Sequence, residues 1–217
     1  MDPKYGGVIM SAFLSIWIST LGVIFAIIDP FGYVPIFLTM TAKDSEEQRR
    51  KMLKKACGTA FVVLTASAFL GNTVLRFFGI SIPALQISGG LILLVIAFEM
   101  VKVIPTPEKI SPHEENEGRE KEDISIIPLA IPMLSGPASI ASVVVLSAKS
   151  DNIYLLYPAI ILSILVTLGF TYFILKSASK IFQRVGLTGL NVMTRVMGLL
   201  LSAMAIQFVI DGYLGIK

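Results

Sequence analysis

Apolar positions along this chain form long uninterrupted runs, and polar positions gather in short stretches between them. Runs of about 20 apolar residues are what a helix needs to cross a hydrocarbon layer. Six are found: Val8–Thr41, Ala56–Leu75, Ala84–Val103, Ile124–Ala148, Ile153–Leu175 and Leu190–Ile210. Gly71–Pro83 reads as a tight connection, with Pro83 suited to a first helical turn. Lys149–Asn152 reads as a polar turn with capping residues. Lipid offers backbone groups no partner outside a helix or a closed barrel, so the pattern predicts an all-α integral membrane protein.

Composition agrees. Of 217 residues 54% are hydrophobic and 15% are charged, against roughly 25% charged in soluble domains; mean hydropathy is +0.78. One cysteine, Cys57, excludes an internal disulfide and a multi-cysteine metal site, and one histidine, His113, leaves no His-based zinc site or Ser-His-Asp triad. Nine methionines follow no metal-binding pattern. No metal, cofactor or enzymatic chemistry is expected. The opening apolar run is longer than a signal-peptide core of ~7–15 residues and reads as a retained span.

Charge orients the spans. Over half the charged residues fall in 43–55 and 101–123. With 43–55 placed inside, thirteen Lys and Arg collect on that face, and Lys4, Arg76, Lys149 and Lys217 stay opposite. This positive-inside bias sets both termini outside a cytoplasmic membrane and assigns the excess basic charge to lipid rather than nucleic acid. Residues 104–123, rich in carboxylates and proline, read as a solvated cytoplasmic linker. They divide one membrane domain into a first three-helix repeat, 1–103, and a second, 124–217.

The two halves resemble each other weakly. Pro30 and Pro35 share their spacing with Pro132 and Pro137 at an offset of 102, and Gly90–Ala97 aligns with Gly198–Ala205 at an offset of 108. Two copies of a three-span unit cross the membrane in opposite senses, which is the 3+3 inverted-topology repeat of many secondary transporters, here with broken first and fourth helices.

The prolines mark the breaks. Asp29-Pro30 is an N-cap and N1 pair, and Ser135-Gly136-Pro137 reads the same way. Restarted helices present free N–H groups to an anion, and the helix ends before them present carbonyls to a cation. With Asp29 adding negative charge, a site of both polarities fits a zwitterion: a small amino acid held largely by backbone. Tyr5–Ile28 alone is long enough to span, so a midplane site requires tilt or a kink at Gly22. Site residues on this reading are Asp29, Pro30, Phe31, Gly32, Tyr33, Ser135, Gly136, Pro137, Ala138 and Ser139, with Arg195 either facing the cavity or snorkelling to headgroups. Gly89, Gly90 and Gly198 are assigned to close helix packing, and Trp17 has no assignment.

Through Asp29–Phe37, Gly79–Gly90, Ile131–Ile140 and Arg195–Gly198 the sequence resembles the MarC family, which includes the small neutral amino acid transporters called SnatA. The resemblance covers nearly the whole chain except the linker. It implies six spans with broken first and fourth helices and transport of glycine, alanine and similar amino acids. Ala138 stands where relatives often carry glycine, a departure that narrows the pocket. The expectation is secondary transport of small neutral amino acids by alternating access, driven by protons through Asp29 or by sodium. An export permease for drugs or metabolites and an ion channel are the rival readings. No Gly-x4-Gly-Lys-Ser/Thr loop occurs to bind ATP.

Overall fold

A computed structural model describes residues 3–102, 125–148 and 153–216, with side chains from residue 9 onward. The linker 104–123, His113 and the turn Lys149–Asn152 lie outside the described residues.

The described chain is helical, with no strand: α1 Pro3–Ile28, α2 Tyr33–Met40, α3 Glu46–Phe77, α4 Ile82–Lys102, α5 Ser125–Leu134, α6 Pro137–Ser147, α7 Ile153–Lys176 and α8 Ala178–Leu214. Five of these are long and apolar enough to cross a membrane, or six if α5 and α6, bent by 53°, form one span. The surface is that of a protein solvated by lipid. Leu14, Ile18, Leu91, Val95, Phe98, Phe170, Val196 and Leu199 are all exposed. The interior holds Thr20, Ser139, Ser142, Ser163, Thr167 and Thr171. Where the solvent is hydrocarbon, apolar area gains nothing by burial. Close packing and satisfied polar groups decide what goes inside. Several of the hydroxyls serve themselves locally: Thr20, Ser163 and Thr171 each donate to the carbonyl four residues earlier, at 2.8 Å.

Two helices are longer than their apolar runs. α3 begins at Glu46, ten residues before Ala56, because Ser45 and Gln48 form a reciprocal capping box and Glu46 and Glu47 occupy the first turn. α8 begins at Ala178, so most of the stretch between Leu175 and Leu190 is helical, with one turn point at Gly186 (φ 66°, ψ 178°). Only glycine adopts that conformation readily. It separates the polar 178–185 from the apolar remainder. α1 runs unbroken through Gly22, so the kink that was one of the two expectations there is not formed.

The closest packing joins α4 to α8 in antiparallel. A Cβ on Gly90 would sit 2.7 Å from the Ala205 carbonyl oxygen and 2.8 Å from Val209. One on Gly198 would sit 3.0 Å from the Ala97 carbonyl oxygen and 3.1 Å from Val101. Both glycines are therefore required for the backbones to approach. Gly89 is not used in this way; its nearest neighbour is Val145 at 4.0 Å. Elsewhere α1 packs on α7 and α5 on α3, α3 also meets α7, and α6 and α2 lie against α4 and α8 respectively.

Candidate functional site

α1 ends at Ile28 because Asp29 takes a left-handed conformation (φ 41°), which no helix can continue. The Asp29 N–H still donates to the Phe25 carbonyl at 3.0 Å. Its own carbonyl and its Oδ1 both accept from the Gly32 N–H, at 3.1 and 3.3 Å. Asp29 thus closes α1 and caps the single turn Pro30–Gly32 that leads into α2. This differs from an ordinary N-cap, whose backbone is extended. The whole residue is buried.

The second interruption is built otherwise. Ile127 and Ile131 are extended, as residues before proline prefer, and the bonds Ile127–Pro128 and Ile131–Pro132 are cis. α5 is consequently a wide, interrupted coil. Ser135 does not cap α6: its N–H and its hydroxyl both turn back to donate to the Ala130 carbonyl, at 2.9 and 2.8 Å. The cap is Gly136, extended at φ −72° and ψ 172°, with Pro137 at the first helical position and no side chain closing the end. The first backbone bond of α6 is Ile140 N–H to the Gly136 carbonyl, 3.0 Å. The amides of Ala138 and Ser139 come before it and have no place in the helical ladder. Gly136 is sterically compelled, since a Cβ there would lie 2.5 Å from the Pro132 carbonyl oxygen.

The two interruptions meet. The buried Tyr33, first residue of α2, donates its hydroxyl to the Met133 carbonyl at 2.7 Å across one hundred residues of sequence. Beside this bond lies a cavity of about 30 Å³ lined by Ile27, Tyr33, Ile96, Pro132, Met133 and the α6 start from Gly136 to Ser139. That is room for about one water. No charged side chain lines it. Ile96 stands six residues from the Lys102 end of α4, so the cavity lies about 9 Å from the basic end of that helix.

Of the residues singled out from sequence, Tyr33, Gly136, Pro137, Ala138 and Ser139 line the cavity. Asp29, Pro30, Phe31 and Gly32 form the turn behind Tyr33, and Ser135 braces α5, none of them lining it. Arg195 is exposed on α8 and is not part of the lining. Ile27, Ile96, Pro132 and Met133 were not foreseen. Pro132 and Met133 fall inside the motif and were legible; Ile27 and Ile96 are two isoleucines among many.

A larger cavity of about 280 Å³ opens towards the other end of the bundle, between Ser15, Ser19, Thr20 and Val23 of α1, Leu146, Leu156 and Phe208. Val23 lines it and Ile27 lines the small one, so a single turn of α1 separates the two.

Residues 14–217 match the model of the MarC family integral membrane protein. The chain is 39% identical over 202 residues to a UPF0056 membrane protein of Methanocaldococcus jannaschii, covering 93% of this chain and 98% of that one. It is 38% identical over 208 residues to a UPF0056 membrane protein of Aquifex aeolicus, covering 90% and 95%. It is 34% identical over 193 residues to the UPF0056 membrane protein YhcE of Escherichia coli, covering 89% of each. No solved structure matches it. A family match over nearly all of the chain, joined to a bundle whose outer surface is apolar, makes this an integral multi-pass membrane protein of the MarC family.

Proposed function

We propose that the protein is a secondary transporter of small neutral amino acids, built as a 3+3 inverted repeat whose two interrupted spans share one substrate site. The observation that carries this reading is the Tyr33–Met133 hydrogen bond, which holds the two interruptions together beside an uncapped helix start. An uncapped N-terminus offers amide donors and the positive end of a dipole to a carboxylate. Asp29, buried behind Tyr33 and outside the cavity lining, is assigned to ion coupling rather than to contact with the substrate. The lining offers a charged side chain nothing to pair with and a large one no room, which selects for small and neutral ligands. At about 30 Å³ the cavity is contracted, and substrate entry requires the halves to move apart. Alternating access supplies that movement.

Reciprocal contacts support the repeat. Gly90 meets the Ala205 carbonyl and Val209; Gly198 meets the Ala97 carbonyl and Val101. Adding 108 to the first glycine and to the partners of the second turns each contact into the other, as a two-fold axis between α4 and α8 demands. The α1–α7 and α5–α3 contacts exchange in the same way. The positive-inside rule then sets the Lys102 and Lys176 ends towards the cytoplasm and both termini outside.

The test is uptake of labelled glycine into proteoliposomes, under imposed proton or sodium gradients and with alanine and serine as competitors. Saturable, competed, gradient-driven uptake is expected, and an unsaturable current would sink the reading in favour of a channel. Asp29→Asn should abolish stimulation by an inward proton gradient while leaving exchange of glycine measurable. Unchanged stimulation would remove Asp29 from coupling and leave sodium as the candidate ion.

A further inference from the structure

A third cavity, about 140 Å³, lies at the basic end of the bundle, where Phe37 lines it one turn of α2 beyond Tyr33 of the small cavity. It has the liquid volume of roughly five waters. Its floor is apolar, formed by the buried Phe37, Leu53 and Leu175. Its rim is cationic. Arg49 and Arg50 reach it from the first turns of α3, Lys176 from the end of α7 and Lys180 from the start of α8, against one carboxylate, Glu46.

These cations are gathered rather than neutralised. Arg49 is fixed by donating twice, through Nε and an amino nitrogen, to the Thr41 carbonyl that ends α2. Lys176 lies 5.9 Å from the centre of the Tyr172 ring, a contact that leaves its positive charge in place. Among the described residues no carboxylate pairs with Arg50, Lys176 or Lys180. Lys51, facing away from the cavity on α3, is by contrast ion-paired to Glu47 at 2.8 Å. Ser177 to Lys180, at the start of α8, also line the cavity, and Ser177 contributes no side-chain cap to that helix end. Positive groups from three elements held in one concavity repel one another until an anion joins them.

We propose that this cavity binds a phosphate ester, and that its occupant is the headgroup of an anionic phospholipid. Guanidinium and ammonium donors on several sides suit a phosphate. The apolar floor, at the level where the spanning helices give way to charge, suits the glycerol and first methylenes behind it. A free phosphate ion would use the rim and leave the floor wet. Basic pockets between spanning helices at the cytoplasmic boundary are the general setting for such headgroups. The seat touches α2 and the start of α3 on one side and the α7–α8 corner on the other, so a bound lipid would tie the two halves at this end.

Native mass spectrometry of the full chain, released from nanodiscs of equal parts phosphatidylglycerol and phosphatidylcholine, reads this directly. Wild type is expected to retain phosphatidylglycerol in preference. The exposed pair Arg50→Gln/Lys180→Gln should weaken that retention roughly thirtyfold, the loss of two surface cations facing an anionic headgroup. Lys43→Gln/Lys54→Gln removes the same charge from neighbouring turns outside the cavity and should weaken retention severalfold less than the Arg50/Lys180 double. Circular dichroism of both doubles checks that they keep their helices. Millimolar inorganic phosphate is the second probe: displacement of lipid by it, lost in the Arg50/Lys180 double, would keep the phosphate site and overturn the lipid as its occupant. Equal retention of the two lipids by wild type, or equal losses in the two doubles, would overturn the site itself.

Discussion

Tyr33 and Gly136 do most at the scale of single residues, and for opposite reasons. Tyr33 brings a hydroxyl to the Met133 carbonyl in the buried interior. Removing that hydroxyl leaves the Met133 carbonyl unpaired, at a cost of about 1–3 kcal/mol. Tyr33→Phe should therefore melt earlier in detergent and take up glycine more slowly, while still reaching the membrane. Gly136 matters for what it lacks. Any Cβ would lie 2.5 Å from the Pro132 carbonyl oxygen, a backbone atom that cannot swing away as a side-chain tip would. Gly136→Ala should be destabilised by about 1–3 kcal/mol and should lose uptake, because the turn that aims the amides of Ala138 and Ser139 must open. Gly169→Ala, with open space around it, is the matched control and should melt no earlier than wild type. Equal melting of Gly136→Ala and Gly169→Ala would show that the turn yields and is not held by this contact.

Helices are governed by their ends and by how closely they approach. α4 and α8 touch backbone to backbone at Gly90 and at Gly198. Under the proposed inverted repeat these two contacts correspond, and they should then fail alike. Gly90→Ala and Gly198→Ala are each expected to lower the thermal midpoint by similar amounts, whereas Gly58→Ala on α3, with nothing near it, should hold or raise it, since alanine favours a helix over glycine by up to about 1 kcal/mol. Strongly unequal losses at Gly90 and Gly198 would argue against the two-fold axis. Those glycines were legible in the sequence because small residues at matched positions in apolar runs have few other uses. The same holds for the helix stops at Asp29-Pro30 and Gly136-Pro137, where proline chemistry is local. What escaped the sequence was decided at a distance. The stretch between Leu175 and Leu190 falls outside the apolar runs, yet most of it is helical, as the first part of α8 up to its bend at Gly186. Ser135 looked like a cap, but the α5 carbonyl of Ala130, placed by the Pro132 turn, captured it first. Arg195, a charge inside an apolar run, left two readings open, facing the cavity or reaching the headgroups; it is exposed on α8 and does not line the cavity.

Over the whole molecule the cavities fall along one path. From the end where α1 and α7 begin, the 280 Å³ space descends past Ser15, Ser19 and Thr20 to Val23, and one turn further is the contracted site beside Ile27. Below that, the α2 segment and the α3 corner close the basic end around Thr41 and Arg49. For the alternating access proposed above, this arrangement is expected to admit solvent from the side of the larger cavity only. A cysteine at Ser19, exposed in the larger cavity, reports on that side once Cys57 is replaced by alanine. In intact cells it should react with a membrane-impermeant methanethiosulfonate. A cysteine at Ser179, on the rim of the basic cavity, should react only after the membrane is permeabilised. Glycine, by drawing the halves over the site, should slow labelling at Ser19 and leave Ser179 unchanged. Labelling of Ser179 from outside would reverse the orientation derived from charge. Rapid labelling of Ser19 that glycine never slows would mean that the larger cavity is a surface cleft with no connection to the transported solute.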